Sequence, residues 1–282
     1  MEIGLNTSTL RGNSMLELIG MIAEKGFNAI ELECNPCPEE VHGIWAREAD
    51  HEFVEKLKEA VSGFKEVSFH APYHFFDVNI ISPNPFVRKL SVEEIIFVME
   101  LANALGRRNV TVHTGAKNPL LKDPVINEYL RETLTALNDA AVKNDVMIGV
   151  EVVDYFYCPK RFELIEELAL SNVGITLDIG HLCFPQPELG GRPGFSQYGS
   201  IEGVIRRYAK LIRHVHIHDF SFARNKDHLA FGDGNLDMIS IVNTLRNNGF
   251  DGTLLMELTP LVPMEKILSG KKLLEKITDW KQ

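Results

Sequence analysis

Short apolar runs alternate with longer, more polar segments along the whole chain. The short runs are rich in Val, Ile and Leu, and they carry few charges until their C-terminal ends. This pattern is typical of parallel strands that are covered on both faces. It predicts eight strands, at Ile3–Asn6, Ala29–Glu33, Val67–His70, Val110–His113, Ile148–Glu151, Gly174–Asp178, His214–His218 and Thr253–Leu258.

The segments between these strands repeat apolar residues every three or four positions, as amphipathic helices do. The predicted helices are Met15–Lys25, Val87–Leu105, Glu128–Lys143, Phe162–Leu170, Ile201–Ala209, Met238–Asn248 and Met264–Trp280. The repeat averages roughly 35 residues, the size of one unit in a (β/α)8 barrel of about 250 residues. We therefore predict an α/β fold, a single (β/α)8 TIM barrel that forms one domain over residues 1–282.

The rival fold is a doubly wound open sheet, which usually carries a Gly-rich phosphate loop after its first strand. The corresponding loop here, Asn6–Gly12, lacks that fingerprint. The barrel is therefore favoured.

Candidate metal ligands collect at the C-terminal ends of the predicted strands, which converge on one mouth in a barrel. Carboxylates crowded there would repel one another, and a bound cation relieves the repulsion. Imidazoles together with carboxylates suit Zn, Mn, Co or Fe(II) better than Ca or Mg, so we predict a divalent-metal site. The residues at these ends are Glu31, Glu33, His70, His113, Glu151, Asp178, His181, His214, His216, His218, Asp219 and Glu257.

Alternation along the seventh strand places His214, His216 and His218 on one face, because neighbouring residues point to opposite sides. His216 is the best placed of the three to bind the metal. His218 is expected one layer higher, where it would line the pocket.

The 282-residue chain has 29 Lys and Arg against 39 Asp and Glu, a formal net charge of -10. Sequence-independent binding of nucleic acid normally needs a basic surface, so the balance disfavours such a partner without excluding a local basic loop. The N-terminus lacks the basic stretch followed by an apolar core that is typical of a signal peptide. No apolar run approaches the roughly 18 residues of a membrane helix. We expect a cytoplasmic protein with no membrane partner, and we make no prediction of its oligomeric state.

Four cysteines are too few for a disulfide framework in a chain of this length. Cys34 and Cys37 form a Cys-x-x-Cys pair, but no second pair accompanies it. A redox or structural zinc role for this pair is therefore not favoured.

Six motifs in a fixed order resemble those of the xylose isomerase-like TIM-barrel superfamily. They are Phe69–Tyr73, Val112–Gly115, Gly149–Glu151, Leu177–His181, Val215–Asp219 and His228–Asp237. This superfamily holds sugar and sugar-phosphate isomerases and epimerases together with the endonuclease IV family. The resemblance covers essentially the whole chain.

The isomerase branch holds one divalent metal on four side chains, and its pattern maps onto Glu151, Asp178, His216 and Glu257. The resemblance implies that Glu151 and Glu257 move a proton beside a metal-polarised carbonyl, and that His181 contacts substrate oxygens. The expected cofactor is Zn or Mn at one site, with up to three sites possible. The predicted substrate is a small carbohydrate: a sugar, a sugar phosphate or a related polyol.

The endonuclease IV branch is the alternative, and it implies three zinc ions. Its additional ligands map onto His70 and His113, with His181 and His228 at the third metal, and Tyr73 also matches. The nuclease pattern has an Asp two positions before His228, where this chain has Lys226 with Asp227 adjacent. No stretch alternates Lys or Arg with aromatic residues as a DNA-binding loop should. A barrel that binds a polyol or phosphorylated ligand without turnover is a third possibility.

Several loop residues are candidates for substrate contacts. We predict that Tyr73, His181, His218, His228 and Arg224 bind substrate. Three loop features carry two interpretations each. The Gly- and Pro-rich stretch Pro185–Gly199 is either a surface loop or an active-site lid. The segment Gly232–Asp237 is either a turn with a helix cap or a phosphate-binding loop. The aromatic residues Trp45, Phe75 and Phe76 form either a wall over a sugar ring or a packing cluster. Arg192 and Lys226 are further candidates for contact with a substrate phosphate.

Overall fold

Eight parallel strands close into a barrel in a computed structural model that describes residues 1–35, 43–73, 77–153, 159–260 and 262–279. Each strand pairs with the next, and the eighth pairs with the first. The strands are β1 Glu2–Asn6, β2 Ala29–Glu33, β3 Glu66–His70, β4 Asn109–His113, β5 Met147–Glu151, β6 Val173–Asp178, β7 Ile212–Ile217 and β8 Thr253–Met256. The predicted (β/α)8 TIM barrel is confirmed.

Eight α-helices alternate with these strands within the described part of the chain. They are α1 Met15–Glu24, α2 His51–Ala60, α3 Pro85–Ala104, α4 Asp123–Lys143, α5 Pro159–Leu168, α6 Ile201–Tyr208, α7 Met238–Asn247 and α8 Met264–Asp279. The helix α2 was not among the predicted helices. Its ten residues are mostly polar and only Leu57 is buried, although Phe53, Val54 and Leu57 follow helical spacing.

Side-chain caps define where several helices begin. Ser14, Asp50, Asn84, Ser200 and Asp237 each accept a hydrogen bond from a backbone N–H of the first helical turn. Such caps satisfy amides that have no partner inside the helix. Asp237 therefore acts as a helix cap, one of the two functions considered for Gly232–Asp237.

The register between strands sets the C-terminal residues at one level. Glu33 lies opposite His70, and His113 lies opposite Glu151. Asp178 lies opposite His216 in the same way. The ligand-type side chains at these positions therefore meet at one rim of the barrel, as the strand-end pattern predicted. Glu31 and His214, which were expected at the same rim, lie one layer lower, opposite Ser68 and Thr176.

The inward-facing and outward-facing side chains of the strands differ in polarity. Outward-facing Val110, Val112, Ile148 and Val150 belong to the apolar core shared with the helices. The interior contains buried hydroxyl groups instead, including a Thr111–Thr176 hydrogen bond of 3.1 Å. Together these features support a polar site at the top of the barrel. No helix in the described residues is long and apolar enough to cross a membrane.

Candidate metal centre

Four side chains, three of them buried and that of Glu257 half-buried, converge on one point at the rim. Glu151 ends β5, Asp178 ends β6, His216 lies in β7, and Glu257 follows β8 by one residue. The Nδ1 atom of His216 lies 3.2 Å from Glu151 Oε2, 4.0 Å from Asp178 Oδ2 and 2.9 Å from Glu257 Oε2. The structure thus brings together the four residues that the resemblance assigned to a single metal.

The donor atoms of this set fit a cation. Glu151 Oε2, Asp178 Oδ2, His216 Nδ1 and Glu257 Oε2 are all buried, and none has a hydrogen-bond partner among the described residues. Buried polar atoms of folded proteins are almost always paired, so four unpaired atoms around one point need an explanation. Three carboxylate oxygens and one imidazole nitrogen are the donor set that Zn, Mn and related ions accept.

The electrostatics of the four residues also favour a cation. Burial raises the pKa of Asp178 to about 6, and the carboxylate of Glu151 adds to the rise. Burial would raise the pKa of Glu257 too, but attraction to His216 outweighs it and lowers that pKa to about 2. Against the opposing effect of burial, His113 and His216 hold the pKa of Glu151 well below its usual range. Ionised carboxylates therefore meet at this point, and Glu257, Glu31 and Glu151 raise the pKa of His216 well above its usual value, against the effect of burial.

A second group beside this set contains His70, His113 and Tyr73. The Nε2 atoms of His70 and His113 are hydrogen-bonded at 3.0 Å, and they lie 3.6 and 3.4 Å from Glu151 Oε2. His70 donates from Nδ1 to the Ala71 carbonyl oxygen, which leaves Nε2 directed at the site. The ring of Tyr73 lies 4.8 Å from that of His113, between ring centroids.

The two histidines of this group differ in charge. Burial alone would lower the pKa of His70, but the carboxylates of Glu33 and Glu151 raise it to about 10. Burial lowers the pKa of His113 to about 4. His113 is therefore neutral at pH 7, and its Nε2 accepts the hydrogen bond from His70. His70, His113 and Glu151 form a second set that could hold a metal.

A third group lies on the far side of Asp178 and contains His181, His218, Asp227 and His228. Asp227 Oδ2 lies 3.6 Å from His181 Nε2 and 3.5 Å from His228 Nε2. The Nδ1 atom of His228 donates to the Glu257 carbonyl oxygen at 2.9 Å. His181 Nδ1 lies 3.0 Å from Glu151 Oε1, so this group is continuous with the four-residue set.

Asp227 lies in the third group, although it stands one position away from the Asp of the nuclease pattern. His228 has a left-handed backbone, with φ of 49°, and Asp227 reaches both histidines from its position next to His228. The signal that could have identified Asp227 was its position next to His228. His218 is fully buried between Asp178, 3.5 Å away, and the His228 ring, 4.2 Å between centroids. It lies just past the end of β7, in the higher layer that alternation predicted.

Asp219 belongs to the loop rather than to the metal-ligand set. Its carboxylate accepts hydrogen bonds from the backbone N–H groups of Phe220, Gly232, Gly234 and Leu236. Backbone N–H groups of Gly232–Asp237, which the sequence suggested as a phosphate-binding loop, thus already donate to a carboxylate of the protein. Gly232–Asp237 is accordingly a turn that is held by Asp219 and ends in the cap of α7.

The remaining loop candidates lie outside these groups. Arg224 is exposed and donates to Ser221 Oγ and to the Asp233 carbonyl oxygen. Arg192 is also exposed and donates to the Leu189 carbonyl oxygen. In the stretch Pro185–Gly199, Pro185–Gln186 and Arg192–Pro193 form a two-stranded ribbon. Trp45 is 42% exposed, while Cys37, Phe75 and Phe76 lie outside the described residues.

Comparison with known proteins gives these groups a family context. The chain is 29% identical over 267 residues to protein MJ1311 of Methanocaldococcus jannaschii, covering 91% of this chain and 83% of that one. It is 26% identical over 178 residues to the inosose isomerase of Bacillus licheniformis, covering 59% of each.

Two solved structures are similar over nearly the whole length. A D-tagatose 3-epimerase-like protein has a TM-score of 0.76 at 25% identity, with 99% of this chain and 97% of that chain covered. The IOLI protein with a bound zinc atom has a TM-score of 0.75 at 21% identity, with 98% of both chains covered.

The resemblance predicted from the six motifs is confirmed by a match of residues 19–277 to one protein family. That family is described as the xylose isomerase-like TIM barrel. The barrel topology and the strand-end side chains agree with the match. The chain therefore belongs to the xylose isomerase-like TIM-barrel family.

Proposed function

We propose that this protein is a divalent-metal-dependent isomerase or epimerase that acts on a sugar, a sugar phosphate or a related polyol. The observation that carries the proposal is the convergence of four buried, unpaired donor atoms, from Glu151, Asp178, His216 and Glu257, on one point at the barrel mouth. We also propose that residues 1–282 form one domain and that the protein works in the cytoplasm, as the sequence suggested.

The four residues would hold one ion, with Zn or Mn as the best match to their donor atoms. When bound, such an ion would polarise a substrate carbonyl and stabilise the negative charge that develops beside it. Glu257 is the most accessible of the four, with 16% of its side chain exposed, against 2% for Glu151. It therefore faces the mouth from which a substrate would enter.

Glu151 and Glu257 would share the proton transfer. One carboxylate would take the proton from the carbon beside the carbonyl, and the other would return a proton to that carbon or its neighbour. His181 would hold a substrate oxygen, because its ring lies 3.0 Å from Glu151 and is 19% exposed. His218, His228, Tyr73 and the loop residue Arg224 are proposed to complete the substrate contacts.

Relatives support a small carbohydrate as the partner. One relative is an inosose isomerase, and one similar structure is a D-tagatose 3-epimerase-like protein. The similar IOLI structure contains zinc, which agrees with a metal at the four-residue set. An acidic chain with a net charge of -10 also suits a small substrate better than a polyanion.

A metal-dependent phosphodiesterase of the endonuclease IV type is the second candidate. Two observations favour it: the His70–His113 pair beside Glu151, and the placement of Asp227 between His181 and His228. Together with the four-residue set, these groups offer three neighbouring places for metal ions. The metal content of the protein separates the two candidates.

The deciding experiment measures the bound metal and the reaction together. We expect one Zn or Mn per chain, and solvent deuterium incorporated beside the carbonyl of a ketose. Glu257→Gln should reduce turnover by about 10²- to 10⁴-fold, the usual contribution of a positioned acid or base. Glu166→Gln is the matched control, because Glu166 is an exposed residue paired with Arg207.

Two results would contradict the proposal. Three zinc ions per chain with cleavage of DNA at abasic sites would establish the phosphodiesterase instead. Unchanged metal affinity and turnover in Glu257→Gln would show that the ligand assignment is wrong.

A further inference from the structure

A further buried carboxylate, that of Glu31, lies beneath the four-residue set, inside the barrel. Glu31 of β2 is fully buried and points to the interior. Its Oε1 atom accepts a hydrogen bond from Asn6 Nδ2 at 3.1 Å, and its Oε2 atom accepts one from Ser68 Oγ at 3.0 Å. Thr111 Oγ1 donates to Oε2 at 3.4 Å. Donors from three other strands thus hold the Glu31 carboxylate at the barrel axis.

Glu31 faces the side of His216 that is turned away from the rim. His216 Nε2 lies 3.0 Å from Glu31 Oε1, and His214 Nε2 lies 3.3 Å from Glu31 Oε2. The His216 contact is at hydrogen-bonding distance, although the N–H axis is not in line with the oxygen. The other nitrogen of the same ring, Nδ1, faces Glu151, Asp178 and Glu257. One imidazole therefore stands between a single carboxylate below and three carboxylates above.

An imidazole that binds a metal through one nitrogen must carry its hydrogen on the other. A carboxylate that accepts this hydrogen fixes the tautomer and the ring orientation, and it increases the electron-donating power of the metal-binding nitrogen. Of the carboxylates around His216, Glu31 is the one that faces Nε2. Hydrogen bonds from Asn6, Ser68 and Thr111 hold the Glu31 carboxylate in place below the ring.

We propose that Glu31 is a positioning residue for the metal centre: Nε2–H of His216 donates to Glu31, so that Nδ1 is the nitrogen that binds the metal. The inference rests on the proposed metal site, but not on the identity of the substrate. It also explains why a carboxylate occupies a layer that branched apolar side chains usually fill in such barrels. A buried carboxylate is costly unless its position has a use or a full set of partners.

The tautomer of His216 can be measured directly in the zinc-loaded full-length protein. With ¹⁵N-labelled histidine, long-range nitrogen–proton NMR spectra distinguish a metal-bound nitrogen from one that carries hydrogen. We expect Nδ1 of His216 to be metal-bound and Nε2 to carry hydrogen, with the signals identified by their loss in His216→Gln. Zinc bound to Nε2, including a second zinc held by Glu31 and His214, would overturn the proposal.

Variants of Glu31 test the energetic consequence. Zinc affinity, measured by competition with a chromophoric chelator, should fall about 10- to 100-fold in Glu31→Gln, the usual effect of losing a carboxylate partner of a metal-binding histidine. Glu33→Gln is the matched control on the same strand. Glu33 is also buried, but its partners are His70, Asn35 and, at 3.5 Å, Asn6 rather than His216, so the His216 tautomer should not change.

A second variant keeps the proposal testable if Glu31→Gln fails to fold. Ser68→Ala keeps the Glu31 carboxylate but removes one of its donors, so we expect a smaller loss of zinc affinity in the same direction. Wild-type affinity in both Glu31→Gln and Ser68→Ala would overturn the proposal. Wild-type protein that binds zinc on Nδ1 but has no isomerase activity would refute only the proposed reaction. Wild-type protein that binds no metal would refute the metal site, and this inference with it.

Discussion

Two buried aspartates at the barrel rim, Asp178 and Asp219, have opposite surroundings. The carboxylate of Asp219 is fully occupied by four backbone N–H donors of its own loop. Asp178 accepts one hydrogen bond, from the backbone N–H of His181, and its Oδ2 atom has no partner among the described residues. Burial is similar, at 4% and 2% exposure, so burial does not distinguish them. The number of hydrogen-bond donors from the protein distinguishes them. The Asp219 carboxylate has all its donors, whereas Asp178 has an oxygen available to a cation.

The same comparison extends to the two layers of the barrel. Glu31, in the lower layer, has hydroxyl and amide donors from neighbouring strands. Glu151 and Glu257, in the upper layer, each leave one buried oxygen without a partner among the described residues. The protein supplies donors to carboxylates that hold structure and leaves unpaired those that we propose bind the metal.

The largest expected effect comes from Asp178→Asn. Removing a ligand of the proposed metal should lower turnover about 10³-fold, since the ion contributes several kcal/mol of charge stabilisation. The chelator-treated variant should be at least as stable as the chelator-treated wild-type protein, because one of several repelling carboxylates is gone. Turnover and thermal denaturation measure the two effects. A large loss of stability without a loss of metal would place Asp178 with Asp219 instead.

The opposite result is expected for Asp219→Asn. Its four backbone donors lose a charged acceptor inside the protein, which should lower the free energy of unfolding by about 3 kcal/mol. Zinc affinity should remain close to that of the wild-type protein, and denaturant titration with and without zinc tests both expectations. Asp233→Asn is the control in the same loop. Asp233 is exposed and paired with Lys266, and such surface pairs contribute about 0–1 kcal/mol.

Removal of the metal gives a third comparison. At a free zinc concentration of 100 times Kd, binding stabilises the folded protein by about 2.7 kcal/mol, so a chelator should lower the melting temperature measurably. Asp219→Asn should keep this response, and Asp178→Asn should lose it. Equal responses in the two variants would show that the unpaired oxygen of Asp178 does not mark a ligand.

The smallest of the four effects is expected at Gly180, which lies against His218 and Asp227 of the third group of the site. A Cβ atom there would overlap the ring of His218, which is fully buried. Gly180→Ala should therefore cost about 1–3 kcal/mol of stability and displace His218. Gly20→Ala, in α1, is the control because nothing lies within 4 Å of the added atom. A Gly180→Ala variant as stable as the wild-type protein, with unchanged histidine NMR signals, would contradict this packing.

Much of the fold could be predicted from the sequence because the signals are local. Runs of Val, Ile and Leu located all eight strands to within about two residues, as expected for strands buried on both faces. The exception among the helices is α2, which was not predicted although its apolar residues Phe53, Val54 and Leu57 follow helical spacing. Strand ends in a barrel share one rim, so the order of motifs also predicted that the four proposed metal ligands would be neighbours.

The sequence by itself determined which side chains point into the barrel, because alternation along a strand and closure of the barrel follow from short-range geometry. It could not distinguish Asp178 from Asp219, since the donors that complete Asp219 come from up to 17 residues further along the chain. Nor could it show that Glu31 faces His216, or that Asp227 reaches His181 and His228. Those relations depend on the closed barrel and on the backbone conformation of a loop. Tertiary structure alone therefore decided which buried charges are satisfied by the protein and which remain for a ligand.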